Sequence, residues 1–353
     1  MKRINKIREI MKEKQLDGLL ITNPVHRRYI SGFTGTAGVV MITEKEAMFI
    51  TDFRYVEQAK EQAKHFEIVE HKTPINNEIA KQIEKLQIHS LGFEQADVTY
   101  ETYITFKEMF QTNLVPTKGI IEDLRMIKSD DEIAIMQAAA KIADDAFEHI
   151  LNYMKDGVRE IDIANELEFY MRKLGATSSS FDIIVASGFR SALPHGIAST
   201  KEIKTGELVT LDFGALYNGY CSDITRTVAI GSISDQLNEI YETVLTAQKH
   251  GVEHINPGMT GKEADALTRD IISDKGYGQY FGHSTGHGLG MEVHEGPGLS
   301  IRSNTVLQKG MVVTVEPGIY IPDVGGCRIE DDIYLTDEGN KRLTFSNKEL
   351  ITL

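Results

Sequence analysis

The chain has 353 residues, of which 41% are hydrophobic and 25% charged, and its formal net charge is −14. This length allows two domains with sizeable cores, and the composition is that of a globular protein. The acidic charge without any block of Lys and Arg argues against nucleic acids and anionic membranes as partners, and the lack of a run of 18 apolar residues predicts no transmembrane helix.

The first twenty residues carry charges throughout and lack the apolar stretch of a signal peptide. Only two cysteines occur, Cys221 and Cys327, which is too few for a disulfide framework and is in keeping with a reducing compartment. We therefore expect a cytoplasmic protein. Both cysteines are interpreted as small apolar residues of strands, and a redox role is the alternative.

Residues 1–120 alternate between helical and strand patterns, which indicates an α/β domain with a largely parallel sheet. The apolar run that ends at Asn23–Pro24 is typical of a buried strand. The predicted elements are a helix near the N-terminus, a hairpin or strand pair from 39–42 and 47–50, a helix over 54–65 and a strand over 66–70.

A capping box at Ser129–Glu132 predicts the start of a long helix, and the domain boundary is expected just before it. The predicted domains are residues 1–122 and 123–353. Further helices are predicted over 160–174, 237–250 and 261–275, and strands over 181–186, 208–213, 221–230, 311–315, 318–321 and 328–335.

Four acidic residues stand in short strand motifs of the C-terminal half. Asp212 lies in V-T-L-D-F-G and Asp223 in S-D-I-T-R-T, on one expected strand pair. Glu316 in V-E-P-G-I-Y and Glu330 in R-I-E-D-D fall on another. Acids that face each other across a sheet repel unless cations lie between them, whereas the alternative is a set of exposed hairpin residues.

Histidines cluster in a glycine-rich stretch between these pairs. His283 and His287 lie in G-H-S-T-G-H-G, and His294 follows seven residues after His287. Such glycine density allows a tight loop that approaches a metal or ligand closely. His195, in a loop after a strand, is a weaker candidate, because a loop histidine is usually only solvated.

Four carboxylates and one imidazole form a donor set that suits divalent ions such as Mn²⁺, Co²⁺ or Zn²⁺. Two such ions would balance the four negative charges, and a hydroxide between them would be activated for attack on a carbonyl. The sequence therefore predicts a binuclear metal site. The predicted ligands are Asp212, Asp223, His287, Glu316 and Glu330.

Taken together, these motifs resemble the metallopeptidases of the pita-bread fold, and within them the prolidases and aminopeptidases P. The matching stretch runs from F-D-I-I-V-A-S-G at 181–188 to Glu330–Asp331. The segments N-P-V-H-R-R-Y-I-S-G-F-T-G and T-D-F-R-Y-V-E-Q-A resemble the creatinase-type N-terminal domain. Methionine aminopeptidases lack that domain, and creatinases lack the full carboxylate set. The implied fold is α/β (α+β), with antiparallel strands covered by helices in the C-terminal domain.

The resemblance implies hydrolysis of the Xaa-Pro bond with two divalent ions, for which Mn²⁺ is the expected metal and Co²⁺ or Zn²⁺ the alternatives. It makes Glu316 the proton shuttle and His294 the residue that stabilises the tetrahedral intermediate. The residues that it places around the substrate are His195, His283, His294, Tyr320, Arg328 and Phe181.

Three functions remain open at this stage. The short N-terminal domain favours an Xaa-Pro dipeptidase that acts on proline-containing peptides, and aminopeptidase P is the alternative. A peptide-binding relative without activity is the third, although such relatives lose metal ligands. The resemblance also implies a homodimer in which Asp52 and Arg54 face the partner's cleft, against the simpler interpretation of a local ion pair.

Overall fold

The computed structural model describes residues 1–353. They divide into two compact units, Met1–Arg125 and Met126–Leu353. No helix in either unit has the length and apolar character that a membrane span requires.

The first unit is built on one six-stranded sheet of order β4-β3-β2-β1-β5-β6, flanked by helices. Three of its strand pairs are parallel, whereas β2 runs antiparallel to both of its neighbours, so the sheet is mixed rather than uniformly parallel. The elements are α1 Lys2–Glu13, β1 Gly18–Ile21, α2 Pro24–Ser31, β2 Val39–Thr43, β3 Ala47–Thr51, α3 Val56–Gln62, β4 Glu67–Glu70, α4 Ile75–Lys85, β5 Ser90–Glu94, α5 Tyr100–Met109, β6 Asn113–Thr117 and α6 Ile120–Met126.

The sequence analysis ended the first strand at Asn23–Pro24 and assigned no helix after it. In the structure Asn23 caps α2, since its side chain accepts hydrogen bonds from the amides of Val25 and His26, and Pro24 stands at the first helical position. Asp52 and Arg54 form the local ion pair, with Nε of Arg54 2.8 Å from Oδ1 of Asp52.

The second unit begins with the predicted capping box, in which Ser129 and Glu132 bond each other's backbone amides. Its helices are α7 Asp130–Leu151, α8 Glu160–Lys173, α9 Asp235–His254 and α10 Gly261–Asp274. Its strands are β7 Ser178–Ser179, β8 Ile184–Ser187, β9 Glu207–Phe213, β10 Ala215–Tyr217, β11 Tyr220–Cys221, β12 Ile224–Ile230, β13 Gly286–Gly288, β14 Glu295–Leu299, β15 Val312–Val315, β16 Gly318–Ile321, β17 Gly325–Arg328, β18 Asp331–Thr336 and β19 Gly339–Arg342.

Antiparallel pairing dominates this unit. The main sheets have the orders β12-β9-β8 and β14-β13-β15-β18-β19, and two smaller sheets have the orders β11-β10-β7 and β16-β17. Helix α7 packs its apolar face, including Phe147 and Ile150, into a core shared with Val209 and Leu211 of β9. This core holds the metal-ligand strands in place from one side.

Two predicted strands are each interrupted in the structure. The predicted strand 221–230 is divided into β11 and β12, and the predicted strand 328–335 into β17 and β18. At the first break the backbone of Ser222 lies so close to Gly214 that any Cβ there would collide with its carbonyl oxygen. Both breaks fall at predicted ligands, Asp223 and Glu330.

Candidate active site

The four predicted carboxylates lie at or next to the ends of strands. Asp212 is the penultimate residue of β9, opposite Thr225, and Asp223 immediately precedes β12. Glu316 directly follows β15, and Glu330 directly precedes β18. The two are close because Val315, the last residue of β15, pairs with Asp331, the first residue of β18. Each strand pair thus contributes two acids. We call these four residues, with His287, the carboxylate cage.

His287 on β13 completes the carboxylate cage. Its Nε2 lies 3.4 Å from Oε1 of Glu316 and 3.8 Å from Oδ2 of Asp223. Its Nδ1 lies 3.1 Å from the Gly288 carbonyl, which can only accept, so Nδ1 carries the proton. Burial lowers the pKa of His287 to about 4, so Nε2 presents a lone pair to the carboxylates at neutral pH.

The carboxylate cage is a concentration of buried negative charge. Burial raises the pKa values of Asp223 and Glu330 well above their ordinary values, and the neighbouring carboxylates add to the effect. One oxygen each of Asp212, Asp223 and Glu330 is buried without a hydrogen-bond partner. Such orphaned acceptors are rare in folded proteins and indicate that a ligand satisfies them.

Divalent cations fit this donor set. Ligand atoms of Asp223, His287 and Glu330 all lie within 4.8 Å of one another. Hard oxygen donors with one imidazole suit first-row divalent ions, and the orphaned oxygens point to where such ions would bind.

Arg328 is a buried cation whose guanidinium bonds a carboxylate group of the cage. Its Nη2 donates to Oδ2 of Asp212 over 2.5 Å, and its Nε donates to the hydroxyl of Thr225 over 3.2 Å. The Thr225 hydroxyl donates in turn to Oε2 of Glu330 over 2.7 Å. Arg328 therefore orients one ligand directly and a second through Thr225.

A cavity of about 540 Å³ opens beside the carboxylate cage. All five predicted ligands line it. Among the predicted substrate residues, His195, His283, His294, Arg328 and Phe181 also line it, whereas Tyr320 does not. Apolar side chains form much of the remaining wall: Ile184, Pro194, Ile197 and Val293.

Tyr320 reaches the site indirectly, through a hydrogen-bonded chain. Nη1 of Arg328 donates to the Tyr320 hydroxyl over 2.7 Å, and that hydroxyl lies 2.7 Å from Nε2 of His283. Nδ1 of His283 donates to the Ser284 carbonyl. Burial and the charge of Arg328 lower the pKa of His283 to about 4, so its ring is neutral and both nitrogens have protein partners.

The sequence analysis missed the residues that support the ligands from behind. Thr314 accepts from the amide of His287 and donates to Glu316, and Asp332 accepts from the amide of Asp223. A usable signal existed for Thr314, because it lies two residues before Glu316 on a strand and so shares its face.

An ion-pair cluster surrounds Asp331, the residue that follows Glu330. We define this cluster as Asp331 with Arg226, Lys348, Gln248 and Thr344. Arg226 Nη2 is 2.7 Å and Lys348 Nζ 2.6 Å from the Asp331 carboxylate. Arg226 also donates to the carbonyl oxygen of Glu330. The ion-pair cluster thereby holds the backbone of a predicted ligand.

Comparison with known proteins places this architecture in a family. Residues 134–337 match the model of metallopeptidase family M24, and residues 3–127 match the creatinase/prolidase N-terminal domain. The chain belongs to metallopeptidase family M24. The predicted fold, with a creatinase-like N-terminal part and a pita-bread C-terminal part, is confirmed, and so is the prediction of a metal-dependent peptidase.

Relatives of this M24 chain match it over almost its whole length. A solved Xaa-Pro dipeptidase from Bacillus anthracis is 62% identical, with a TM-score of 0.99 over 100% of this chain and 99% of that one. The Xaa-Pro dipeptidase of Pyrococcus furiosus is 44% identical over 99% of both chains. An X-Pro aminopeptidase from Thermotoga maritima is 39% identical, with a TM-score of 0.91 over 96% of this chain and 98% of that one.

Proposed function

We propose that this chain hydrolyses the Xaa-Pro bond of dipeptides in a reaction that depends on two divalent metal ions. The observation that carries the proposal is a carboxylate cage on the wall of an apolar cavity, in a chain 44% and 62% identical to proteins named Xaa-Pro dipeptidases. The expected division is a creatinase-like domain over 1–122 and a catalytic domain over 123–353.

Asp212, Asp223, His287, Glu316 and Glu330 would hold the two ions. When bound, the ions supply an activated hydroxide and polarise the scissile carbonyl. Mn²⁺ is the expected metal, with Co²⁺ and Zn²⁺ as alternatives, because hard oxygens dominate the donor set.

Proline selectivity is possible because the site does not need a hydrogen bond from the amide N–H of the scissile bond. The Xaa-Pro bond is a tertiary amide without an N–H, so a site that binds substrate through that hydrogen would fail. Here the apolar wall accepts the pyrrolidine ring, and Phe181 is the aromatic member of that wall. Arg328 fixes Asp212 and the Pro194 carbonyl on either side of its guanidinium.

The remaining polar residues handle the reacting atoms. His294, whose ring lies 4.4 Å from that of His287, would donate to the oxygen of the tetrahedral intermediate. Glu316 would carry a proton from the attacking water to the departing proline nitrogen. His195 would bind the substrate's polar end, while His283 and Tyr320 hold Arg328 in position.

Aminopeptidase P activity is the second candidate. The specific observation in its favour is the 39% identity to an X-Pro aminopeptidase over nearly the whole chain. Both activities break the same bond, and they differ in whether residues follow the proline.

Two further features belong to the proposal. We expect a homodimer, as the family resemblance implies. We also expect a cytoplasmic enzyme, which the two free, buried cysteines support, because a reducing compartment leaves thiols unpaired.

The test is a substrate panel on protein stripped with a chelator and reloaded with Mn²⁺, Co²⁺ or Zn²⁺. It compares Xaa-Pro, Xaa-Pro-Xaa and Met-Ala peptides, with Asp223→Asn as the inactive control. We expect metal-dependent cleavage of Xaa-Pro with the highest kcat/KM. Equal or faster cleavage of Xaa-Pro-Xaa would replace dipeptidase by aminopeptidase P, and cleavage of Met-Ala alone would overturn both.

A further inference from the structure

One segment carries three residues of the cavity wall without belonging to any strand of the carboxylate cage. Residues 188–198 follow the end of β8 at Ser187 and lead to Ser199. They bring Pro194, His195 and Ile197 to the cavity. We call this segment the cavity loop. What fixes the cavity loop fixes part of the substrate site.

Both ends of the cavity loop converge on a single buried carboxylate. Glu160, the first residue of α8, has no exposed surface. Its Oε1 accepts from the amide and hydroxyl of Ser187 over 2.9 and 2.8 Å. Its Oε2 accepts from the amide and hydroxyl of Ser199 over 3.1 and 2.6 Å. One side chain therefore closes the base of the cavity loop.

A single arginine ties the interior of the cavity loop to the same carboxylate. Nε of Arg190 lies 2.9 Å from Oε2 of Glu160, and its Nη2 donates to the Ile197 carbonyl over 2.6 Å. Arg190 balances the buried charge and spans the cavity loop internally. On the cavity side, the Pro194 carbonyl accepts from Arg328 over 3.0 Å.

This arrangement requires a carboxylate rather than any polar residue. Both oxygens of Glu160 act only as acceptors, and the donors around them include two backbone amides that cannot turn away. A glutamine of the same shape would place an NH₂ group against one set of donors. The loop end on that side would then lose its anchor and gain a donor–donor contact.

We propose that Glu160 is a positioning residue for the substrate: it acts through the cavity loop, by setting the place of His195 and Pro194 relative to the carboxylate cage. None of the five cage residues lies on the cavity loop, and Arg328 links the loop to Asp212, so Glu160 affects substrate binding more than metal binding. The inference rests on the proposed function for its choice of substrate.

The kinetic test uses Glu160→Gln with a matched control, Glu94→Gln. Glu94 is also a buried carboxylate, and it accepts from the amides of Thr22 and Asn23 in the first unit. With Mn²⁺ and an Xaa-Pro dipeptide, we expect Glu160→Gln to raise KM about tenfold with a smaller change in kcat. We expect Glu94→Gln to lower the unfolding temperature without moving KM.

Two further measurements separate positioning from general destabilisation. Mn²⁺ affinity by titration calorimetry should stay within about twofold in Glu160→Gln, because Arg328, which links the cavity loop to the cage, keeps its own bonds to Asp212 and Thr225. His195→Ala combined with Glu160→Gln should raise KM less than the product of the two single effects. Ser199→Ala, which removes one donor, should produce a smaller change in the same direction, and it replaces Glu160→Gln if that variant does not fold.

Hydrogen exchange keeps the inference testable even if no Xaa-Pro peptide is cleaved. Amides of the segment 187–199 should exchange faster in Glu160→Gln than in the wild type and should be unchanged in Glu94→Gln. Inactivity of the wild-type protein with this exchange result would sink the proposed function alone. Unchanged exchange in this segment, unchanged KM, or multiplicative effects with His195→Ala would overturn the role of Glu160.

Discussion

Glu330 and Asp331 are adjacent in the chain and both buried, but their surroundings differ completely. Glu330 faces the carboxylate cage, where burial and then the charges of Glu316 and Asp212 raise its pKa. Burial would also raise the pKa of Asp331, but the charges of Arg226 and Lys348 outweigh it, so that pKa lies below its usual value. Both residues are buried, so the nearby cations decide whether the pKa is raised or lowered.

The ion-pair cluster and the carboxylate cage differ in whether the protein itself supplies enough positive charge for their acids. The ion-pair cluster supplies its own cations, so Asp331 has the counter-charges that a buried carboxylate needs. The carboxylate cage has four acids and reaches only Arg328, which bonds Asp212. Bound divalent ions would supply the missing positive charge, and this shortage of counter-charge supports the proposal of a metal site.

The largest effect is expected from Glu330→Gln. An amide at this position keeps the shape and the contact with Thr225 but removes a ligand charge, so kcat should fall by about a thousandfold or more in the presence of Mn²⁺. The unfolding free energy of the metal-free variant should be unchanged or higher, because the substitution removes a repelling group. Retained activity at saturating Mn²⁺ would contradict the assignment of Glu330 as a ligand.

Asp331→Asn is the matched change in the ion-pair cluster, and its effect should fall on stability instead. Removal of this charge leaves Arg226 and Lys348 buried without their partner, which should cost about 3–5 kcal/mol of unfolding free energy. Denaturant unfolding of the metal-free protein measures it. An unfolding free energy that Asp331→Asn leaves unchanged, as expected for Glu330→Gln, would mean that the two clusters do not differ as described.

The sequence was sufficient to predict the carboxylate cage but not the ion-pair cluster. Motif spacing and strand periodicity marked all five cage residues, because ligands occupy local patterns. In E-D-D at 330–332, however, three acids look alike. The cations that distinguish Asp331 come from Arg226, 105 residues away, and from Lys348. Such pairing depends on tertiary packing, which local patterns do not contain.

The strand breaks were also beyond the sequence analysis. Residues 221–230 contain no glycine or proline that would mark an interruption, and all ten are buried in the structure. Only the close approach of Ser222 to Gly214 ends the ladder there. The fold class and most helices were predicted, since capping and helical periodicity are local, as the capping box at Ser129 illustrates.

The two clusters should also give metal-free protein opposite responses to pH. Burial, opposed by Arg328 and reinforced by Asp212, raises the pKa of Glu316 from 4.5 to about 8. The folded state then holds a proton that the unfolded state has released, so this stabilisation is full below pH 4.5 and is lost as pH rises through 8. Asp331 has a lowered pKa and loses its contribution only in acid.

Thermal unfolding of metal-free protein between pH 7 and 9 tests this difference. His283 and His287, with pKa values lowered to about 4, titrate below that range. The unfolding temperature should fall as pH rises, because the unfolding free energy decreases by at most about 1.4 kcal/mol per pH unit for each proton released. Saturating Mn²⁺ should flatten the slope. Glu316→Gln should reduce it, because Asp223 and Glu330, whose pKa values are also raised, still release protons. A slope that Glu316→Gln leaves unchanged would contradict the raised pKa of Glu316.

The smallest effect is expected when the ion-pair cluster loses Lys348, since Arg226 remains and Arg342 also lies 3.7 Å from the Asp331 carboxylate. In Lys348→Met, Asp331 keeps Arg226 at 2.7 Å and Thr344 at 2.9 Å, so the charge remains compensated. The loss of one hydrogen bond to a charged group should cost about 1.5–3 kcal/mol of unfolding free energy, less than Asp331→Asn. Mn²⁺ affinity should be preserved, because Arg226 still holds the Glu330 carbonyl.

Lys249→Met is the control for this last change, since Lys249 pairs with Glu349 at 2.5 Å on the exposed side of α9. A surface pair of this kind contributes little, so no measurable change in unfolding free energy is expected. If Lys348→Met were equally silent, Arg226 would be the one close, buried cation that Asp331 needs, with the more distant Arg342 at 3.7 Å. The contrast with Glu330 would then depend on a single buried guanidinium, rather than on two cations from separate parts of the chain.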